Sequence, residues 1–261
     1  MSEPVLKYDV EDHVGVITLN RPEAMNSLNY QLYAELEDAV RGSTARALVI
    51  TGEGRAFCAG DDVKEILGGG SPPPAEFRER GQRTGGLTPA ADALLHTDIP
   101  VIAAVNGAAV GWGMELALMA DIRVASEQAR FGELFVLRGL CCDAPGLGRL
   151  AQLVGRERAA ELLFTGDIID AATAQGIGLV SRVVPADALM PTAMELATRI
   201  ASNPPLAVQA LKAGLRRTLD PDWRATGKWA IEQITRLRQT EDSREGVQAF
   251  LEKRAPSYVG R

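Results

Sequence analysis

Hydrophobic residues keep two rhythms along this chain. Val14-Gly15-Val16-Ile17-Thr18-Leu19 is a β-branched run closed by the turn formers Asn20-Arg21-Pro22, which predicts a strand. Leu28, Leu32, Leu36, Ala39 and Val40 then recur at helical spacing, and Ala47-Leu48-Val49-Ile50 predicts a short buried strand ending at Thr51-Gly52. A second passage follows the same order: strand Pro100 to Val105, a glycine-rich turn, a helix from Met114 to Met119, and a strand over Ile122-Arg123-Val124-Ala125. From about Pro185 the pattern is almost wholly helical, with predicted helices over Leu189 to Ile200, Pro205 to Leu219, Trp223 to Leu237 and around Arg244 to Lys253. The expected class is therefore α/β followed by a helical C-terminal region. Gly68-Gly69-Gly70-Ser71-Pro72-Pro73-Pro74 fits neither a helix nor a strand interior, so it is expected to be a surface loop, either a tolerated insertion or a mobile cover over a site.

Composition narrows the functions open to such a chain. Its 261 residues are 46% hydrophobic and 24% charged, as in a soluble globular protein with a substantial core. The net charge of −6 argues against a generic nucleic-acid surface. Asn106, Glu115, Asp121 and Arg123 interrupt the most apolar region, so no run approaches the roughly 20 residues a membrane span requires. Met1-Ser2-Glu3-Pro4 has no secretory pattern, and three cysteines, two of them adjacent, give neither a disulfide framework nor CxxC metal spacing. A cytoplasmic location is expected. The two histidines, His13 and His96, cannot build a multi-histidine metal site, and a nucleophile triad would rest on one of them.

Two glycine-rich turns are the candidate chemistry. Gly52 to Glu65 leads from a strand towards a helix expected to start near Asp61, and Asn106 to Glu115 joins another strand to a helix. Backbone N–H groups at such turns are left unpaired and favour negative charge, and two that converge make an oxyanion hole. No G-x-G-x-x-G opens a helix in a β-α-β unit, and no Walker phosphate loop is present. By themselves these turns are more often structural than catalytic.

The strings Ile17-Thr18-Leu19-Asn20-Arg21-Pro22-Glu23, Ala56-Phe57-Cys58-Ala59-Gly60-Asp61-Asp62, Ala120-Asp121-Ile122-Arg123-Val124-Ala125 and Glu245-Gly246-Val247-Gln248-Ala249-Phe250 resemble the enoyl-CoA hydratase/isomerase (crotonase) family. The likeness runs in order from about residue 5 to residue 258. It implies a crotonase-like spiral of β-β-α units over 1–185 and a C-terminal helical trimerisation region over 186–261, assembled as a homotrimer or a dimer of trimers. It also implies an acyl-CoA thioester as substrate, with coenzyme A as part of that substrate and no separate cofactor or metal.

Carried over by position, the resemblance implies thioester polarisation by the backbone N–H groups of Asp61 and Trp112. A tryptophan at the second position restricts φ/ψ and adds bulk near the thioester. Glu115 falls on the first catalytic glutamate of the family's hydratases, and Phe135 stands where the second is usual, so that pair is broken. Glu133, two residues earlier, is expected to point elsewhere. Asp143 falls where dienoyl-CoA isomerases and an aromatic acyl-CoA dehalogenase carry an aspartate, and could share proton transfer with Glu115. Coenzyme A binding is implied for backbone groups near Phe57, Ala59 and Asp62, for Lys64, and for Lys253 of a neighbouring subunit. The cysteines read as packing residues. The leading expectation is hydration or isomerisation of an enoyl-CoA. The alternatives are a C–C hydrolase or dienoyl isomerase for a cyclic or polyunsaturated acyl-CoA, and a non-catalytic acyl-CoA binding protein.

Overall fold

The structure is a computed structural model that describes residues 4–67 and 72–261. Its first strands are β1 (Leu6–Glu11), β2 (Val14–Leu19), β3 (Ala47–Gly52), β4 (Ala56–Cys58) and β5 (Val101–Val105). β6 (Ala108–Val110), β7 (Ile122–Ser126), β8 (Arg130–Gly132), β9 (Ile169–Asp170) and β10 (Arg182–Val184) complete the set. Between them lie helices α1 (Tyr30–Arg41), α2 (Ala75–Gly81), α3 (Pro89–His96), α4 (Trp112–Met119), α5 (Ala144–Val154), α6 (Arg156–Thr165) and α7 (Ala171–Gly176). The C-terminal helices are α8 (Leu189–Ala201), α9 (Pro205–Leu219), α10 (Trp223–Leu237) and α11 (Glu241–Glu252).

The larger sheet has the order β1-β2-β3-β5-β7-β10 and is parallel apart from the β1–β2 hairpin. The smaller has the order β4-β6-β8-β9, with only β8–β9 antiparallel. Three successive passages, β3-β4, β5-β6 and β7-β8, each place one strand in the larger sheet and the next in the smaller.

Continuous apolar runs form the central strands because both faces of the larger sheet are covered. Ala47, Val49, Ile102, Ala104 and Val124 pack against the stripe Leu189, Ala193, Ala197 and Ala201 of α8. Leu48, Ile50, Val101, Ala103 and Val105 face the opposite way, into the main core with Leu32 and Leu36 of α1, Leu94 of α3 and Leu116 of α4. Small alanines let α8 lie close on the sheet.

The helix expected near Asp61 does not form there. Asp61 makes an isolated bridge with Leu28, and only a short π-helical segment, Val63–Leu67, follows. The carboxylate of Asp62 accepts from the amides of Lys64 and Glu65 and pairs with Arg21 at 3.1 Å, which ties the turn to the β2 exit instead of launching a longer helix. Of the loop Gly68 to Pro74, residues 68–71 lie outside the described residues, and Pro74 caps α2.

Candidate active site

Strands of the smaller sheet end in the turns where the candidate residues cluster. β4 ends at Cys58, three residues before Asp61, and β6 ends at Val110, two before Trp112. The two turns touch. Gly60 has φ +88, and a Cβ there would press on the Val110 carbonyl oxygen and the Trp112 amide nitrogen. A Cβ on Gly113 would collide with the Cys58 carbonyl oxygen. Only glycine lets these backbones approach so closely. Among the described residues neither the Asp61 nor the Trp112 amide has a backbone hydrogen-bond acceptor. Both residues line one cavity of about 220 Å³, with Ala59, Gly60 and Gly111 beside them.

Trp112 does not crowd this cavity in the way its size suggests. Gly111 takes the positive φ of +55, leaving Trp112 free to start α4 in ordinary helical backbone. Its side chain is buried and stands edge-on to Tyr33, with ring centroids 4.7 Å apart. The Tyr33 hydroxyl donates to Asp61 Oδ1 at 2.6 Å. This pairing holds the Asp61 side chain against α1. Tyr33 has no motif around it, and its place among Leu32 and Leu36 signals only a core position.

Glu115 lies one turn into α4, fully buried. Its Oε1 accepts from the Asp143 amide at 3.0 Å and its Oε2 from the Gly146 amide at 2.7 Å. The carboxyl thus sits on the N-terminus of α5, which binds anions through its unpaired N–H groups. Burial is the strongest influence on its proton and pushes the pKa well up, reinforced by the charges of Glu133 and Asp143 and opposed by the two amides. Asp143, the residue before α5, is likewise shifted up to about 7, first by burial and then by Asp61, with Arg238 acting in the opposite sense.

Glu133 does not point away from these groups. The Gly132 carbonyl accepts from the Gly111 amide at 2.9 Å, so the exit of β8 is pinned beside the start of α4. Glu133, the next residue, is 1% exposed, and its charge acts on both Glu115 and Cys142. Phe135 leaves the family's usual second position without an acid, yet a different glutamate enters the same buried volume. The signal available in the sequence was an acid enclosed by Phe131, Leu134 and Phe135.

The residues carried over for coenzyme A scatter more widely. Ala59 lines the cavity, whereas the Phe57 side chain is fully buried in the core. Asp62 is engaged with Arg21, and Lys64 and Lys253 are exposed, the latter as the left-handed cap of α11. The same helix brings Phe250 to the cavity wall, where the Arg138 guanidinium lies 4.4 Å from its ring centroid. Burial holds the thiols protonated, raising Cys58 to about 12 and Cys141 to about 11.

Residues 9–261 match the profile of the Enoyl-CoA hydratase/isomerase family. The chain belongs to that family. A 2,3-dehydroadipyl-CoA hydratase of Escherichia coli (strain K12) is 40% identical over 96% of this chain and 97% of its own. A crotonyl-CoA hydratase of Syntrophomonas wolfei is 36% identical over 96% of each. Among solved structures, the carnitinyl-CoA hydratase from Mycobacterium avium superposes with a TM-score of 0.88 at 35% identity, over 100% of both chains. Within the family this chain is an enzyme of the lyase or isomerase type. Among the described residues no helix is long and apolar enough to cross a membrane.

Proposed function

We propose that the enzyme hydrates or isomerises an enoyl thioester of coenzyme A through an enolate. The observation that carries this reading is the pair of unengaged amides, Asp61 and Trp112, at one cavity, with the Glu115 carboxyl on the helix that Trp112 begins. As electrons move onto the thioester oxygen, the two N–H groups hold the charge, and one such donor is worth about 3 kcal/mol in the transition state. Glu115 and Asp143 then handle the proton on carbon and, for hydration, the proton of the added water. Burial raises both pKa values, so that one carboxyl can hold a proton to donate while another accepts. The hydratase names of the relatives favour water addition. Asp143 favours a second reading, dienoyl isomerisation or C–C hydrolysis on a polyunsaturated or cyclic acyl group, because it sets a second carboxyl-bearing residue beside Glu115, its amide donating to Glu115 Oε1 at 3.0 Å.

Coenzyme A would run along the first turn past Phe57, Ala59 and Asp62, its phosphates met by Lys64 and by Lys253. The β-β-α passages correspond in this reading to the turns of a spiral, and helices of 186–261 form the trimer contacts. Supporting this, Leu211, Leu215 and Leu219 of α9 are exposed as an apolar row. The decisive experiment is a panel of short and medium enoyl-CoA and dienoyl-CoA thioesters followed by mass spectrometry and NMR. Gain of one water with an intact chain supports hydration, and an unchanged mass with a shifted double bond supports isomerisation. Binding without turnover of any thioester in the panel sinks both for that range.

A further inference from the structure

A second cavity, of about 190 Å³, adjoins the first across Phe135 and Leu140, which border both. Cys141, Cys142, Leu147 and Leu163 make its other walls largely apolar, and Glu133 is the one ionisable carboxyl among its lining residues. Both Glu133 oxygens are buried, and among the described residues neither has a hydrogen-bond partner. An unpaired buried carboxyl is destabilising whichever way it is protonated. Glu133 is not needed to hold α4 or α5, since the α5 amides are taken by Glu115.

We propose that this cavity seats the tail of an acyl group bearing a hydroxyl, hydrogen-bonded to Glu133. The inference rests on the acyl-CoA reading above and adds the chemical class of the acyl group. A cavity of about 190 Å³ has room for several non-hydrogen groups, enough for a short acyl tail. A hydroxyl fits Glu133 in both of its states, donating to the carboxylate and accepting from the acid. A carboxylate tail would bury a further acidic group in an apolar pocket that has no cationic residue in its lining, with Glu115 and Asp143 close by. A plain alkyl tail would complete the burial of Glu133 with no partner, and sites built to hydrogen-bond a hydroxyl discriminate strongly against analogues without one. Glu133 is in this sense a specificity-determining residue.

Saturated thioesters test this without relying on turnover. Hexanoyl-CoA and its terminal and penultimate hydroxy derivatives would be titrated calorimetrically into the wild type, Glu133→Gln and Glu133→Leu. At least one hydroxy derivative is expected to bind the wild type about tenfold more tightly than hexanoyl-CoA. Glu133→Gln, which still accepts and donates, should keep part of that preference, and Glu133→Leu should reverse it. Near-UV circular dichroism of each variant establishes that it is folded, and replacing an unpaired buried acid by leucine removes a cost of burial. Hexanoyl-CoA binding as tightly as every hydroxy derivative, or a preference that survives Glu133→Leu, overturns the inference and leaves the acyl-CoA reading standing. If no thioester binds, hexanoyl-CoA included, both fall together.

Discussion

The two sheets divide the work of the molecule unequally. The larger has central strands of five or six residues, β3, β5 and β7, that are almost wholly buried, and their side chains contact helices and one another. The smaller has three-residue strands and a two-residue edge, yet Asp61, Trp112, Glu133 and Phe135 all lie within three residues of one of its strand ends. Long buried strands give a rigid frame, because each residue is fixed by packing above and below. Short strands fix little beyond their own ends, which is enough to hold two backbone turns in contact and leave their amides unengaged. Extensive burial is thus concentrated in one sheet and the candidate chemistry at the ends of the other.

Substitutions that touch one sheet and spare the other measure that division. The largest effect is expected from Glu115→Gln, which removes a proton carrier and sets an amide NH₂ against the α5 amides. The rate constant kcat on any thioester turned over should fall by about 10²–10⁴, read by steady-state kinetics. Full activity in this variant would falsify the assignment of Glu115. Next comes Gly113→Ala, whose Cβ must push the Cys58 carbonyl aside and part the two turns. A loss in kcat of about 10² is expected, with a stability cost of about 1–3 kcal/mol in urea unfolding. Equal catalysis with the same stability loss would mean that contact between the turns does not set the donors.

Asp143→Asn should act more gently on rate, about tenfold, but should delete a limb of the kcat/KM pH profile near pH 7. It should also alter stability with a definite sign. A carboxyl that holds its proton to about 7 when folded, against an ordinary 3.8, contributes stability fully present below the lower value. That contribution is lost as pH rises through the folded value. The wild type should therefore weaken relative to Asp143→Asn between pH about 4 and about 8, by on the order of 4 kcal/mol in matched urea titrations. A difference that stays constant with pH returns Asp143 to a plain turn residue. The smallest effect belongs to the larger sheet. Ile102→Val, between the sheet and α8, should cost about 0.5–1.5 kcal/mol and leave kcat/KM unchanged.

Legibility followed the same division. Val14 to Leu19, Ala47 to Gly52, Val101 to Val105 and helices α8 to α10 were readable because a long buried element repeats its period over many residues. β4, β6, β8 and β9 were not, since two or three residues cannot display a period. In the site, Glu115 and Asp143 could be placed from their motif positions, and the structure puts the Asp143 amide on the Glu115 carboxyl. The direction of Glu133 is not legible in the sequence, because counting along a strand fixes the direction of a side chain only while the strand continues, and β8 stops at Gly132. The fit of Trp112 is not legible in the sequence, because its volume is local information, while its edge-on partner Tyr33 comes from a helix about eighty residues away.

By itself the sequence determined the frame: which stretches are buried, where they alternate between strand and helix, and which family pattern the chain carries. These depend on short-range periodicity and on runs of residue types. Only the tertiary structure decided that two glycine turns meet and that the Glu115 carboxyl rests on the amides of α5. It also decided that a third carboxyl, Glu133, is enclosed without a partner beside a second cavity. Those features depend on distances between segments far apart in the chain, and burial there sets the protonation that chemistry requires.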